Sequence, residues 1–230
     1  MISDRKKTIL KAIIKEYIKT AQPVSSGMLV EKCNLKVSPA TVRNDMAELE
    51  EDGYIIQPYT SAGRVPTELA YELELSELLK SKDNKNLRDS EIKLLDGLFS
   101  SEEAGAKQTA KAIAELSNGA VFWAFHKNDL YYTGLANLFA QPEFKQSEIV
   151  YDVSVIIDRM EEIIDDLFDQ IDNGNQVLIG SKNPFGAFLS TVLVKYKKNN
   201  QSGIFGIMGP IRMDYARNLA LIDYIKNKFK

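Results

Sequence analysis

Residues Val37 to Thr67, VSPATVRNDMAELEEDGYIIQPYTSAGRVPT, constrain the fold more than any other stretch. Ser38 suits an N-cap, and Pro39 suits the first helical position, where a missing N–H costs nothing. Val42, Met46 and Leu49 then recur at helical spacing, so one stripe of the segment Thr41 to Asp52 faces a core. On the other face stand Thr41, Arg43, Asn44 and Asp45, short polar groups and one cation near the positive end of the helix dipole. Hydroxyl, amide and guanidinium groups are those that hydrogen-bond base edges and phosphates. Gly53 ends the helix, and Tyr54 to Gln57 reads as a strand. The tip Pro58-Tyr59-Thr60-Ser61-Ala62-Gly63 is turn-rich, and Arg64 follows it with a charge where a wing would touch the backbone or minor groove. Periodicity alone fits an amphipathic helix and a hairpin equally well. The order of helix, Gly, short strand, small-residue tip and Arg favours a helix that enters a DNA groove, followed by a two-stranded wing.

The wider segment PVSSGMLVEKCNLKVSPATVRNDMAELEEDGYIIQPYTSAGRVPT resembles the N-terminal winged helix-turn-helix of the HrcA-type heat-inducible transcription repressors of bacteria. The blocks SPATVRNDMAELE and QPYTSAGRVPT are long and specific. The resemblance implies a repressor that binds an inverted-repeat operator in double-stranded DNA, upstream of chaperone genes, as a homodimer. It also implies that the chaperonin keeps the repressor active, so that heat, by filling the chaperonin with unfolded clients, releases the genes. On this reading Ser38, Thr41, Arg43 and Asn44 serve base and nearby phosphate contacts, and Tyr59, Thr60, Ser61 and Arg64 serve the wing.

Charge is divided along the chain. Residues 1–66 hold ten Lys and Arg against eight Asp and Glu, a net of +2, and the rest carries −5. A mildly basic head on an acidic body fits a DNA-binding module joined to a sensing or assembly module. Glu48, Glu50, Glu51 and Asp52 crowd the far end of the recognition helix, which should point away from phosphates. With 230 residues, 44% of them hydrophobic, the chain can build two small domains or one large one. Cys33 is the single cysteine, which excludes an intramolecular disulfide and a cysteine zinc site. No apolar run follows the charged N-terminus and none reaches the length of a membrane span, so a cytoplasmic protein with no membrane role is expected.

In chain order, Asp4 to Thr20 reads as a first helix with Ile9, Ile13, Ile14 and Tyr17 on its apolar stripe. Its lysines Lys6, Lys7, Lys11 and Lys15 lie either near DNA phosphates or on a solvated face. Ser25 and Ser26 cap a short second helix through Cys33, and Asn34 to Val37 is the turn into the recognition helix. Glu68 to Leu79 is a linking helix, and the polar run 81–86 is the domain boundary, leaving a head at 1–80 and a body at 87–230. In the body, two helices (Asp89–Phe99 and Ala104–Leu116) precede a strand over Gly119–His126. A turn at Lys127-Asn128-Asp129 leads to a second strand over Leu130–Leu138. A helix over Val155–Ile171, a strand over Gln176–Ile179, a hairpin of Leu189–Tyr196 with Gly203–Met208, and a helix opened by Asp214 complete an α+β domain. LYYTGLANLFAQPEF and GIFGIMGPIRMDYARNLALIDYI resemble the GAF-like domain of the same family. The family usually carries an inserted helical dimerisation domain there. Here the first strand runs straight into the second, so the insert is expected to be missing and the dimer surface falls to the Glu68–Leu79 helix or the C-terminal helix.

No constellation for catalysis emerges. His126 is the only histidine, without a partner for metal or for a nucleophile. Gly203, Gly206 and Gly209 do not match a dinucleotide fingerprint and read as close-packing or turn positions. Asp158, Glu161, Glu162, Asp165 and Asp166 read as a solvated helix face. Met208 to Tyr215 reads as a turn and helix start, or as the lining of a small-ligand pocket. The expectation is a non-enzyme without cofactor or metal. A metabolite-responsive regulator is the alternative, and an enzyme built on the α+β domain a third reading. Arg43→Ala and Arg64→Ala should each weaken DNA binding by roughly 1–3 kcal/mol without unfolding the protein, as read by equilibrium binding with a parallel melting curve.

Overall fold

A computed structural model describes residues 2–33, 37–80, 87–99, 103–145, 147–198 and 201–229. The expected turn at 34–36, the side chain of Cys33 and the polar run 81–86 lie outside the described residues. The chain divides into two compact units, Met1–Lys82 and Asp83–Lys230.

The first unit contains α1 (Asp4–Thr20), α2 (Ser26–Cys33), α3 (Pro39–Glu51), the strands β1 (Ile55–Ile56) and β2 (Val65–Pro66), and α4 (Glu68–Lys80). Ile9, Leu10, Ile13 and Ile14 of α1, Leu29 of α2, Val42, Met46 and Leu49 of α3, and Ile55 of β1 are buried together with Ala70 and Tyr71 of α4. Helix ends are marked by local chemistry. Ser3 caps α1, Ser25 Oγ accepts from the Met28 N–H at 3.2 Å, and Gly53 turns the chain at φ +79° after α3. Three of the α1 lysines are paired within the head. Lys6 pairs with Glu48 and Asp52 of α3, while Lys7 and Lys11 share Glu77 of α4 at 3.0 and 2.7 Å.

The second unit has α5 (Asp89–Leu98), α6 (Glu103–Ser117), β3 (Ala120–His126), β4 (Asp129–Thr133), α7 (Leu135–Phe139), α8 (Ser147–Asp158), α9 (Met160–Gln170), β5 (Gly174–Ile179), β6 (Leu189–Lys198), β7 (Gln201–Pro210) and α10 (Tyr215–Lys228). Among the described residues the sheet has five antiparallel strands in the order β4-β3-β7-β6-β5. Strand β7 is internal and both its faces are covered. Ile204 and Met208 join Phe122, Leu193 and residues of α8 and α9 in one cluster. Phe205 meets Trp123 edge-on at 4.9 Å on the opposite face, where α6 and α10 pack. That is why GIFGIMG reads as a continuous apolar run rather than an alternating one. This is an α+β domain of the GAF-like kind, with helices over both faces of the sheet.

Several ends shift by one or two residues, and two elements differ more from the sequence reading. The second strand ends at Thr133, not Leu138, because Gly134 adopts φ +79° and lies against the Gly119 carbonyl. Leu135, Leu138 and Phe139 then follow at helical spacing in α7. The helix expected over Val155–Ile171 is two helices, broken at Arg159, whose N–H is shared between the carbonyls of Val155 and Ile156. The break lets Val153 of α8 and Met160, Ile164, Leu167 and Phe168 of α9 reach one core.

The motifs left open in the body have structural partners. Gly206 and Gly203 sit under aromatic rings: an added Cβ would lie 2.2 Å from Phe122 and 2.5 Å from Tyr196. The Met208–Tyr215 block is the end of β7, a turn and the start of α10, held by Arg212 paired to Glu143 and bonded to Gln141 Oε1 at 2.7 Å. The Tyr215 hydroxyl lies on Ser190 Oγ at 2.8 Å and the Ile211 carbonyl at 2.6 Å. His126 makes local hairpin contacts, with Nδ1 at the Lys127 carbonyl (2.7 Å) and Nε2 3.3 Å from Asp129. Gly206→Ala should destabilise the protein by about 1–3 kcal/mol through overpacking against Phe122, read as a lower urea midpoint with unchanged slope.

Candidate nucleic-acid interface

Helix α3 stands on its cap. Ser38 Oγ accepts the Thr41 N–H at 3.1 Å and lies 3.0 Å from the Thr41 hydroxyl. Its first turns present Ser38, Arg43 and Asn44 to solvent, with Thr41 half-buried. The wing tip presents Tyr59, 66% exposed, with Thr60 and Ser61 beside it. Ser61 takes φ +69°, the left-handed conformation that closes the tip. Between them lies a cleft of about 340 Å³, lined by Ser25, Ser26, Arg43, Met46, Gln57, Ser61, Ala62, Gly63 and Arg64. The structure therefore brings Arg43, Ser61 and Arg64 to one cleft, with the other named polar groups on the flanking helix and tip.

Asp45 is a correction. The sequence reading put it outward with Arg43 and Asn44, but it is 1% exposed and faces α1. Arg5 meets it with two bonds, Nε to Oδ2 and Nη2 to Oδ1, both 2.8 Å. That bond to Asp45 raises the Arg5 pKa above its ordinary value, and the bond to Glu48 does the same for Lys6. The signal was present: Val42, Asp45, Met46 and Leu49 are one continuous helical stripe, and only the charge of Asp45 argued against it.

Arg64 also differs from a free wing cation. Its Nε and Nη2 both lie 2.8 Å from Glu50 Oε2, while Glu50 Oε1 accepts the Gln57 N–H at 2.9 Å. The acidic end of α3 is thus spent on internal partners: Glu48 and Asp52 on Lys6, Glu50 on the wing. Among the described residues no group of three or more His, Cys, Asp or Glu could hold a metal ion, and no helix is long and apolar enough to cross a membrane.

A helix-turn-helix head with a wing, carried on an α+β body, is the form of a DNA-binding transcription regulator. Residues 11–67 match the DeoR-like helix-turn-helix domain, and residues 55–219 match the HrcA protein C terminal domain. The chain belongs to the HrcA family. The heat-inducible transcription repressor HrcA of Carboxydothermus hydrogenoformans is 27% identical over 329 aligned positions, covering 98% of this chain and 96% of that protein. The HrcA of Acidothermus cellulolyticus is 56% identical over 78 residues, which cover 34% of this chain and 23% of that protein. Against the Alkaliphilus metalliredigens HrcA the match covers 51% of this chain and 34% of that protein. The 329 aligned positions exceed the 230 residues of this chain by 99, the mark of a short form. A crystal structure of a hypothetical protein shares the fold, with a TM-score of 0.82 at 20% identity over 100% of this chain and 98% of that one.

Ser38 separates folding from binding. Ser38→Ala should cost about 1 kcal/mol of cap stability. Ser38→Asp keeps the cap and adds a carboxylate to the exposed start of α3, so it should retain the urea midpoint and, if this end of the helix meets DNA, lose DNA affinity in equilibrium binding.

Proposed function

We propose that the chain represses heat-inducible chaperone genes by binding an inverted-repeat operator as a homodimer. The observation that carries this is the exposed, polar first half of α3 beside the wing tip, across a cleft that holds Arg43. The major groove of B-DNA admits a helix of this width. In that position Arg43 offers a planar donor fork to guanine or phosphate, and Asn44 offers the bidentate partner of adenine. Ser38 and Thr41 reach nearby phosphates. Tyr59, Thr60 and Ser61 follow the adjacent backbone or minor groove, with Arg64 at the root of the wing. The head at 1–80 reads the operator and the body at 87–230 carries assembly and regulation.

An inverted repeat is read by two heads related by a two-fold axis, spaced one helical turn or a multiple of it. Chaperonin is the proposed partner that maintains the active repressor, and heat releases the genes when that partner is occupied. A cytoplasmic location would give the access to the chromosome and to chaperonin that this reading requires. The direct β3–β4 hairpin, closed by Lys127-Asn128 with Asn128 at φ +64°, supports the reading that the family's inserted domain is missing there, and on that reading the dimer forms through other surfaces.

Fluorescence anisotropy with the inverted repeat, a single half-site and a scrambled duplex across a salt series tests this. The full repeat should bind at least tenfold more tightly than either control, with a linear log–log salt dependence. Equal binding of all three duplexes would contradict it.

A further inference from the structure

The wing is too short to hold its own shape. Strands β1 and β2 make only two pairs, Ile55↔Pro66 and Ile56↔Val65, and a two-stranded ribbon of that length is not self-supporting in water. Its tip nevertheless has to meet DNA at a fixed offset from α3. Three contacts set that offset. Arg64 exchanges both backbone bonds with Val24, at 2.9 and 2.8 Å. The chains approach so closely there that a Cβ on Gly63 would lie 2.5 Å from the Val24 carbonyl. Gln57 Nε2 donates to the Ala62 carbonyl at 3.0 Å and draws the two arms of the tip together. The third contact is the Glu50 carboxylate, with one oxygen on the N–H of the first arm at Gln57 and the other on the Arg64 guanidinium of the second arm.

We propose that Glu50 is a positioning residue for DNA reading: its carboxylate clamps both arms of the wing to the recognition helix, with Arg64 as its counterpart. This rests on the DNA-binding reading above. Glu50 sits in the last turn of α3 with its side chain 32% exposed, and the Arg64 side chain is 21% exposed. Arg64 therefore supports binding chiefly by holding the wing, and its charge is already matched. Electrostatics alone argues the reverse for Glu50. A carboxylate near phosphates repels them, so its removal should tighten binding on every sequence alike.

The test measures Glu50→Ala, Arg64→Ala and the double variant of the full chain on operator and scrambled duplexes, with melting curves. Arg43→Ala serves as the contact control. Each single variant should lose roughly tenfold on the operator, the scale of a charge-assisted hydrogen bond. Each should lower the operator-to-scrambled ratio, which a mere loss of folded protein leaves unchanged. The double variant should lose little more than either single. The Arg64→Ala salt slope should match wild type, whereas a phosphate contact lowers it by about one. Glu50→Gln keeps the acceptor for Gln57 but faces Arg64 with an amide, so it should fall between wild type and Glu50→Ala, and it substitutes if Glu50→Ala melts early. Unchanged or tighter binding by Glu50→Ala, or losses that multiply in the double variant, overturns the clamp while leaving DNA binding intact. A wild type that does not prefer the operator, with Arg43→Ala unchanged, overturns both.

Discussion

A carboxylate taken out of water inside an amphipathic helix needs a cation, and Asp45 has Arg5. The fork geometry uses both carboxylate oxygens, so the pair fixes not only the distance between α1 and α3 but the rotation of α3 about its axis. The rest of the head is arranged around that setting. With Asp45 turned inward, Arg43 and Asn44 are turned outward by the helical period. Lys6 ties the end of the same helix through Glu48 and Asp52, and Glu50 ties the wing to it. The buried stripe of Val42, Met46 and Leu49 supplies the apolar driving force, which is non-directional. The ion pairs supply direction.

Electrostatics in this head is sorted along the recognition helix. The first turns expose Ser38, Arg43 and Asn44, next to the positive end of the helix dipole. The last turns and the C-cap carry four acidic residues, of which Glu48, Glu50 and Asp52 engage cations of the head itself. An acidic tail on a DNA-reading helix would otherwise oppose binding. Here Lys6 and Arg64 offset part of its charge, and it serves as the attachment for α1 and for the wing. In α4, Glu77 between Lys7 and Lys11 plays a comparable part, and its bonds to both lysines hold its pKa below the ordinary carboxylate value.

The helices of the head were legible in the sequence because caps and period agree: Ser38, Pro39 and Gly53 mark α3, and Val42, Met46 and Leu49 give its stripe. Side-chain pairing across elements was not legible. Nothing local says that Asp45 reaches Arg5, forty positions away, or that Glu50 reaches Arg64. In the body, LYYTGLANL alternates well enough to suggest a strand throughout, and only the left-handed Gly134 against the Gly119 carbonyl ends it early. The run from Val155 to Ile171 has an unbroken helical period, and the break at Arg159 answers a tertiary demand, that α8 and α9 both cover the sheet. Gly203, Gly206 and Gly209 read as close-packing or turn positions, and the rings of Phe122 and Tyr196 over Gly206 and Gly203 supply the packing reason for two of them.

Backbone amide shifts of the labelled protein, followed on adding operator duplex, show which face of the head meets DNA. If it is the first turns of α3 with the wing tip, large changes are expected at Thr41, Arg43, Asn44 and Tyr59 to Arg64, with the amides of the five-stranded sheet of the body little changed. Shifts concentrated on the sheet or α10, with α3 and the wing unmoved, would contradict that reading.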